Sequence, residues 1–151
     1  MKETCCLVYA LAPASMSWDE SNLRLNEYLL DEQRGLCIAH DHFADPNGGF
    51  AVFHVRNADE RAALDQLGPL EGWSVNIHPL IFGTTAVGFM RQSEFTLQRF
   101  RGVSVEDLAG EETDDPSYWW KSGDMQSWIK SASNTDARLT GIYGSKLKGS
   151  N

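Results

Sequence analysis

Four histidines, His40, His42, His54 and His78, carry the side chains in this 151-residue chain best suited to moving a proton near neutral pH or to ligating a metal. Three of them fall within LCIAHDHFADPNGGFAVFHV, residues 36–55, which has the make-up of two strands and a turn. Residues two apart on a strand point to one side, so His40 and His42 share a face and Asp41 takes the other. By the same rule His54 shares a face with Phe50 and Val52, and His78 with Asn76 and Ser74. The hairpin brings His54 near His40 or His42 if its register sets them on one face.

Three chemistries fit these residues. In the plainest, the imidazoles face water or hold one hydrogen bond each. In the second they work as general acids and bases in a dry pocket. His78 and His54 then lead, His40 and His42 are further catalytic candidates, Asn76 and Ser74 orient the substrate, and Tyr9, Phe50 and Phe53 supply aromatic walls. In the third, His40 and His42 offer two nitrogens to a divalent metal, and His54 or Asp45 completes a set with an open position.

The elements that must position these groups follow from periodicity. Residues 5–11, CCLVYAL, are an apolar run too short for a helix and read as a buried strand ended by Pro13. Ser17 and Glu20 form a capping box, and Trp18, Asn22, Leu25 and Leu29 recur along one face of a helix of about four turns, with Tyr28 beside them and Gly35 at its close. Residues 36–43 are a second strand, Asp45 to Gly49 a turn, and FAVFHVR a third strand. Asn57 and Glu60 cap a second helix, Ala58 to Leu67, with Ala62, Ala63 and Leu67 inward, and Gly68-Pro69 stops it. In residues 72–82, Trp73, Val75 and Ile77 alternate with Ser74, Asn76 and His78, giving a fourth strand with two unlike faces, and Pro79 places it at an edge.

The order β-α-β-β-α-β is that of an α+β, ferredoxin-like antiparallel sheet with both helices on one face. The other face is left for a ligand or a second copy, because monomers rarely expose large apolar patches.

Beyond residue 83 the pattern reads as an extended arm and then a helix, with Phe89, Phe95 and Phe100 as anchors, followed by a capped turn at Ser104–Leu108. GTTAVG, residues 83–88, lacks the lysine of a phosphate loop and reads as a flexible connection. Asp115-Pro116 signals another helix start, and Met125, Trp128, Ile129 and Ala132 make a short stripe that, with Trp119 and Trp120, calls for a docking surface. Residues 133–151 are polar and rich in Gly and Ser. The organisation expected is a domain over 1–83, a mainly helical extension over 84–132 and a tail over 133–151.

Bulk properties narrow the classes of function. A formal net charge of −8 disfavours nucleic-acid partners, since phosphate neutralisation needs clustered Lys and Arg. Residues 103–133 carry 2 basic and 7 acidic groups, whereas 134–151 carry 3 basic and 1 acidic. No apolar run approaches the roughly 20 residues of a membrane helix. Glu3 and the short apolar run at the N-terminus argue against a secretory signal, and three cysteines, two of them adjacent, form no disulfide framework, so a cytoplasmic protein is expected. No G-x-S-x-G elbow or zinc-ribbon spacing occurs.

The spacing of a helix ending in DEQRGL, the strand CIAH, the turn DPNGG, the strand FAVFHVR, the helix ADERAALDQL and the closing PLEGWSVNIHPLI resembles the YCII-like families of the dimeric α+β barrel superfamily, over about residues 5–83. The resemblance implies a homodimer packed sheet to sheet, with pockets on the inner faces; relatives include lactone isomerases and dehydrohalogenases. YCII-like proteins often carry a histidine on the first helix with an aspartate nearby, whereas here that helix offers only Arg24, Asn26 and Glu27 as polar candidates, Arg24 as a substrate contact. The expected function is a small-metabolite enzyme without cofactor, an isomerase or lyase acting on a cyclic or aromatic substrate. The alternatives are a binding or assembly module working through its Trp-rich arm, and a metal-dependent enzyme using the His-x-His strand.

Overall fold

The computed structural model describes residues 1–112, with side chains through Leu108. The expected helix start at Asp115, the Trp-rich stripe and the polar tail lie outside the described residues. The chain divides into two compact units, Met1–Arg99 and Phe100–Asn151.

The first unit is a four-stranded antiparallel sheet with helices. Its strands are β1 (Thr4–Leu11), β2 (Leu36–His42), β3 (Gly48–Val55) and β4 (Ser74–Pro79), in the spatial order β2-β3-β1-β4. Helix α1 (Trp18–Leu30) connects β1 to β2, and α2 (Ala58–Asp65) connects β3 to β4. Pro79 ends a strand that pairs only with β1, so its missing donor costs no ladder bond on the outer side.

Local chemistry sets the helix starts. The Ser17 side chain accepts from the Glu20 amide at 3.2 Å, and Asn57 accepts from the Glu60 amide at 2.9 Å. The first helix ends at Leu30, and Asp31 both closes it and caps a 3₁₀ turn, Glu32–Arg34. Gly35 follows at φ +94°, where a Cβ would lie 2.7 Å from the His54 carbonyl oxygen, so glycine is required by both conformation and space.

Alternation assigns one face to the core. Cys6, Val8 and Ala10 of β1 and Ala51, Phe53 and Val55 of β3 pack against Leu25, Tyr28, Leu64, Leu70 and Trp73. The Tyr28 ring stands edge-on to Phe53 at 6.0 Å, its hydroxyl donates to the Leu64 carbonyl at 2.7 Å, and the Arg34 guanidinium lies 4.1 Å over its face. Arg34 also donates to the carbonyls of Ala63 and Gln66, satisfying acceptors that the end of α2 leaves open. A buried cation is thereby tied to both the first helix and the second. The helix stripes differ from expectation at two points. Trp18 remains 41% exposed, because it stands in the first turn of α1, and in α2 Leu64 is the fully buried residue while Ala62 faces out.

Beyond the sheet, α3 (Ala86–Arg101) starts where Thr85 Oγ1 accepts from the Gly88 amide, so the GTTAVG stretch runs into a helix. None of its residues is buried, and Phe95 and Phe100 keep more than half of their surface exposed. In the second unit α4 (Val105–Glu112) is capped reciprocally: Ser104 Oγ accepts from the Asp107 amide and Asp107 Oδ2 accepts from the Ser104 amide. Among the described residues no helix is long and apolar enough to cross a membrane.

Candidate functional site

Strand register decides which chemistry-bearing residues meet. β2 pairs with β3 through Leu36 and His54, Cys37 and Phe53, then Ala39 and Val52, so Ile38 is an extra residue that forms a bulge. Past the bulge, His40 stands opposite Ala51 and His42 opposite Gly49, on the side that carries the helices, while Asp41 stands opposite Phe50 on the other.

His40 and His42 therefore share a face as expected, but His54 is on the opposite one, and the metal set His40, His42, His54 does not assemble. Asp45 lies exposed in the turn. Among the described residues no three His, Cys, Asp or Glu side chains form a metal-ligand group.

On the helix side, His42 Nε2 lies 3.1 Å from Asn26 Oδ1 of α1, and its ring meets His40 edge to face at 5.8 Å. The amide oxygen only accepts, so it places the imidazole proton on Nε2. Gly49 permits this approach, since a Cβ there would lie 2.6 Å from Leu25 Cδ2. Desolvation lowers both imidazoles although His40 is exposed at its edge of the sheet, and the more enclosed His42 falls to about 4, with the neighbouring His40 adding to the effect. A base that weak holds its proton poorly at neutral pH, so His42 serves better as a fixed neutral group than as a proton carrier. The amide nitrogen of Asn26 and both amide atoms of Asn22, one turn earlier, are buried without a protein partner among the described residues.

The side of the sheet away from α1 and α2 is laid out in cross-strand rows. Leu36, His54 and Cys5 form one; Ala39, Val52, Leu7 and His78 the next; Asp41, Phe50, Tyr9 and Asn76 the third; Gly48, Leu11 and Ser74 the last. Phe43, just past β2, stands opposite Gly48 in the last row, and its ring leans to within 5.3 Å of Tyr9 and 6.4 Å of Phe50 in the third. Tyr9, Asn76 and His78 are exposed and Phe50 is half-buried, whereas Cys5 and Val52 in the first two rows are buried.

Five expected site residues, His78, Asn76, Ser74, Tyr9 and Phe50, thus share one surface, with His54 at its far margin. His54 and His78 stand two strands apart, about 10 Å across the sheet, and cannot act on one atom together. Phe53 is no wall of this surface; it is fully buried on the helix side. Arg24 points away as well, held by Glu20 at 2.8 Å on the outer face of α1.

Residues that the sequence did not single out complete the picture. Glu3 Oε2 lies 3.0 Å from His54 Nε2, and Cys5 is the cross-strand neighbour of His54, an arrangement with the outline of a thiol, imidazole and carboxylate triad. The thiol is fully buried, however, and desolvation, with Cys6 and Glu3 nearby, pushes it up to about 11, so it is not a thiolate nucleophile. Asp41 and Phe43 were legible only as strand and turn residues until register placed them beside Phe50.

Comparison with protein-family models, with curated proteins and with solved structures finds no match to this chain.

Proposed function

We propose that this chain is a small-metabolite enzyme, an isomerase or lyase, in which a histidine on the sheet face away from α1 and α2 moves a proton on a cyclic or aromatic substrate without a cofactor. One observation carries the reading: two aromatic rings and two polar end groups share a single row of that face, the ring of Phe43 from the next row leans toward both, and His78 lies in the adjoining row on the other side, two residues from Asn76 on the same strand.

The chemistry follows from the groups. Neutral His78 accepts a proton from a carbon next to a carbonyl, and the amide of Asn76 donates a hydrogen bond to the oxygen on which charge develops. The imidazolium then returns the proton to another carbon, which is isomerisation, or gives it to a departing group, which is elimination. His54, paired with Glu3, is a second proton carrier at the margin of the face. The sheet order β4-β1-β3-β2, with its antiparallel pairings, is what a ferredoxin-like, YCII-like domain would have, and supports a homodimer of dimeric α+β barrel type in which a second copy closes the open face. Closure excludes water, which a proton transfer from carbon requires. We place the enzyme in the cytoplasm.

The test is deuterium incorporation. A panel of cyclic ketones and lactones is incubated with the full chain in deuterium oxide and followed by proton NMR. Exchange at the carbon next to the carbonyl is expected, lost in His78→Gln and retained in His40→Gln, whose ring is on the opposite face. Absence of exchange with a folded protein, or exchange indifferent to both His78→Gln and His54→Gln, overturns the reading.

A further inference from the structure

Resting on that reading of the open face, we infer that its ligand is an uncharged or cationic flat aromatic compound, with a hydrogen-bond donor at one end and a carbonyl or amide at the other, lying across the strands along Asp41, Phe50, Tyr9 and Asn76.

Length comes first. Asp41 on β2 and Asn76 on β4 occupy opposite edges of the sheet, three strand spacings or about 14 Å apart. Side chains reaching inward from each end leave roughly 8–10 Å, the span of two fused rings with a substituent at either end. The floor between them is aromatic: Tyr9 and Phe43 are tilted by 45°, Phe43 and Phe50 by 32°, and Tyr9 keeps 39% of its surface exposed. Rings in this arrangement favour offset or edge contact with another flat ring.

The ends differ in kind. One carboxylate oxygen of Asp41 accepts from the His42 amide at 2.8 Å, which fixes the side chain and leaves the second oxygen as an acceptor. It suits a hydroxyl, an amine or a cation and repels an anion. Asn76 both donates and accepts, so it suits a carbonyl or amide. Charge sharpens the choice. The strand residues of this face, from Cys5 on β1 to Asn76 and His78 on β4, include no Lys or Arg, so a phosphate or polycarboxylate finds no counter-charge in the rows. This is a specificity against acidic metabolites as much as for aromatic ones.

The experiment uses three probes with the full chain: 6-hydroxy-2-naphthamide, 2-naphthamide, and 6-carboxy-2-naphthamide, with binding read by ligand fluorescence and by shifts of the Tyr9 and Phe50 ring protons. The hydroxy compound is expected to bind about tenfold tighter than the unsubstituted one, and the carboxylate weakest. Asp41→Asn, which keeps an oxygen for the His42 amide, removes the advantage of the hydroxyl and improves the carboxylate. Phe50→Ala weakens all three alike. Equal binding of the three probes, no binding up to millimolar concentration, or an order unchanged by Asp41→Asn overturns the inference. His78-dependent exchange with no such order sinks this inference alone, and the expected order without any exchange leaves the binding row standing while the enzyme reading falls.

Discussion

On one side of the sheet Cys6, Val8, Ala10, Ala51, Phe53 and Val55 are sealed beneath two helices; on the other, across the same strands, Tyr9 stays exposed and Phe50 half-buried. Both faces are rich in apolar and aromatic side chains, so composition does not separate them. Cover does. On the helix side several polar groups are tied down, the Tyr28 hydroxyl to Leu64, Arg34 to Ala63 and Gln66 and His42 to Asn26, while the Asn22 amide is enclosed without a protein partner among the described residues. On the open side Asn76, Ser74 and His78 stand at the surface. A face that holds the fold together spends its polar groups internally, whereas a face that meets a ligand keeps them available.

Replacing one ring on each face breaks the comparison most sharply. Phe53→Ala removes a fully buried ring and is expected to cost about 3–5 kcal/mol, read from the midpoint of urea unfolding. Phe50→Ala, on the half-covered side, should cost less than half as much while abolishing the shift of Tyr9 on probe binding. Equal costs would mean that the second face is structural too.

Acid gives the next effect. Burial lowers the folded pKa of His42 to about 4 from an unfolded value near 6.5. Between those values the unfolded chain binds a proton that the folded one does not, so stability falls as pH drops through 6.5 and levels off below 4. The loss is up to about 3 kcal/mol before allowance for the solvent its ring still meets. His42→Gln should flatten that slope in urea titrations at pH 4.5 and 7.

Smaller changes sharpen the contrast further. Asn57→Ala removes the cap of α2 and should cost about 1 kcal/mol. Glu3→Gln, at the margin of this face, should change stability by less than about 1 kcal/mol by the same assay, because the Glu3 carboxylate is half exposed and its attraction to His54 is screened. Any activity that His54 supports would respond to this change far more than stability does.

Local rules of the chain were legible from residue types. Ser17 and Asn57 cap as expected because a cap is decided within three residues, and Trp73, Val75 and Ile77 face the core because period 2 is read directly along β4. The faces of His54 and His78 followed the same way. What escaped was non-local. The contact between His42 and Asn26 joins residues 16 apart on different elements, and the pairing of Glu3 with His54 spans 51. The stripe of α2 was placed on Ala62 rather than Leu64, since an eight-residue helix offers barely two turns in which to fix a phase. Asp41 and Phe43 gained significance only when pairing set them beside Phe50 and Tyr9.

The extra residue at Ile38 has a consequence for how such a surface could change over generations. Deleting it would close the bulge and leave every later pairing as it is, with Asp41 still opposite Phe50 and His40 and His42 still opposite Ala51 and Gly49. In a strand without such slack, a three-nucleotide loss would turn every later side chain to the other face. Here the bulge buffers the recognition end of β2 against a change in length.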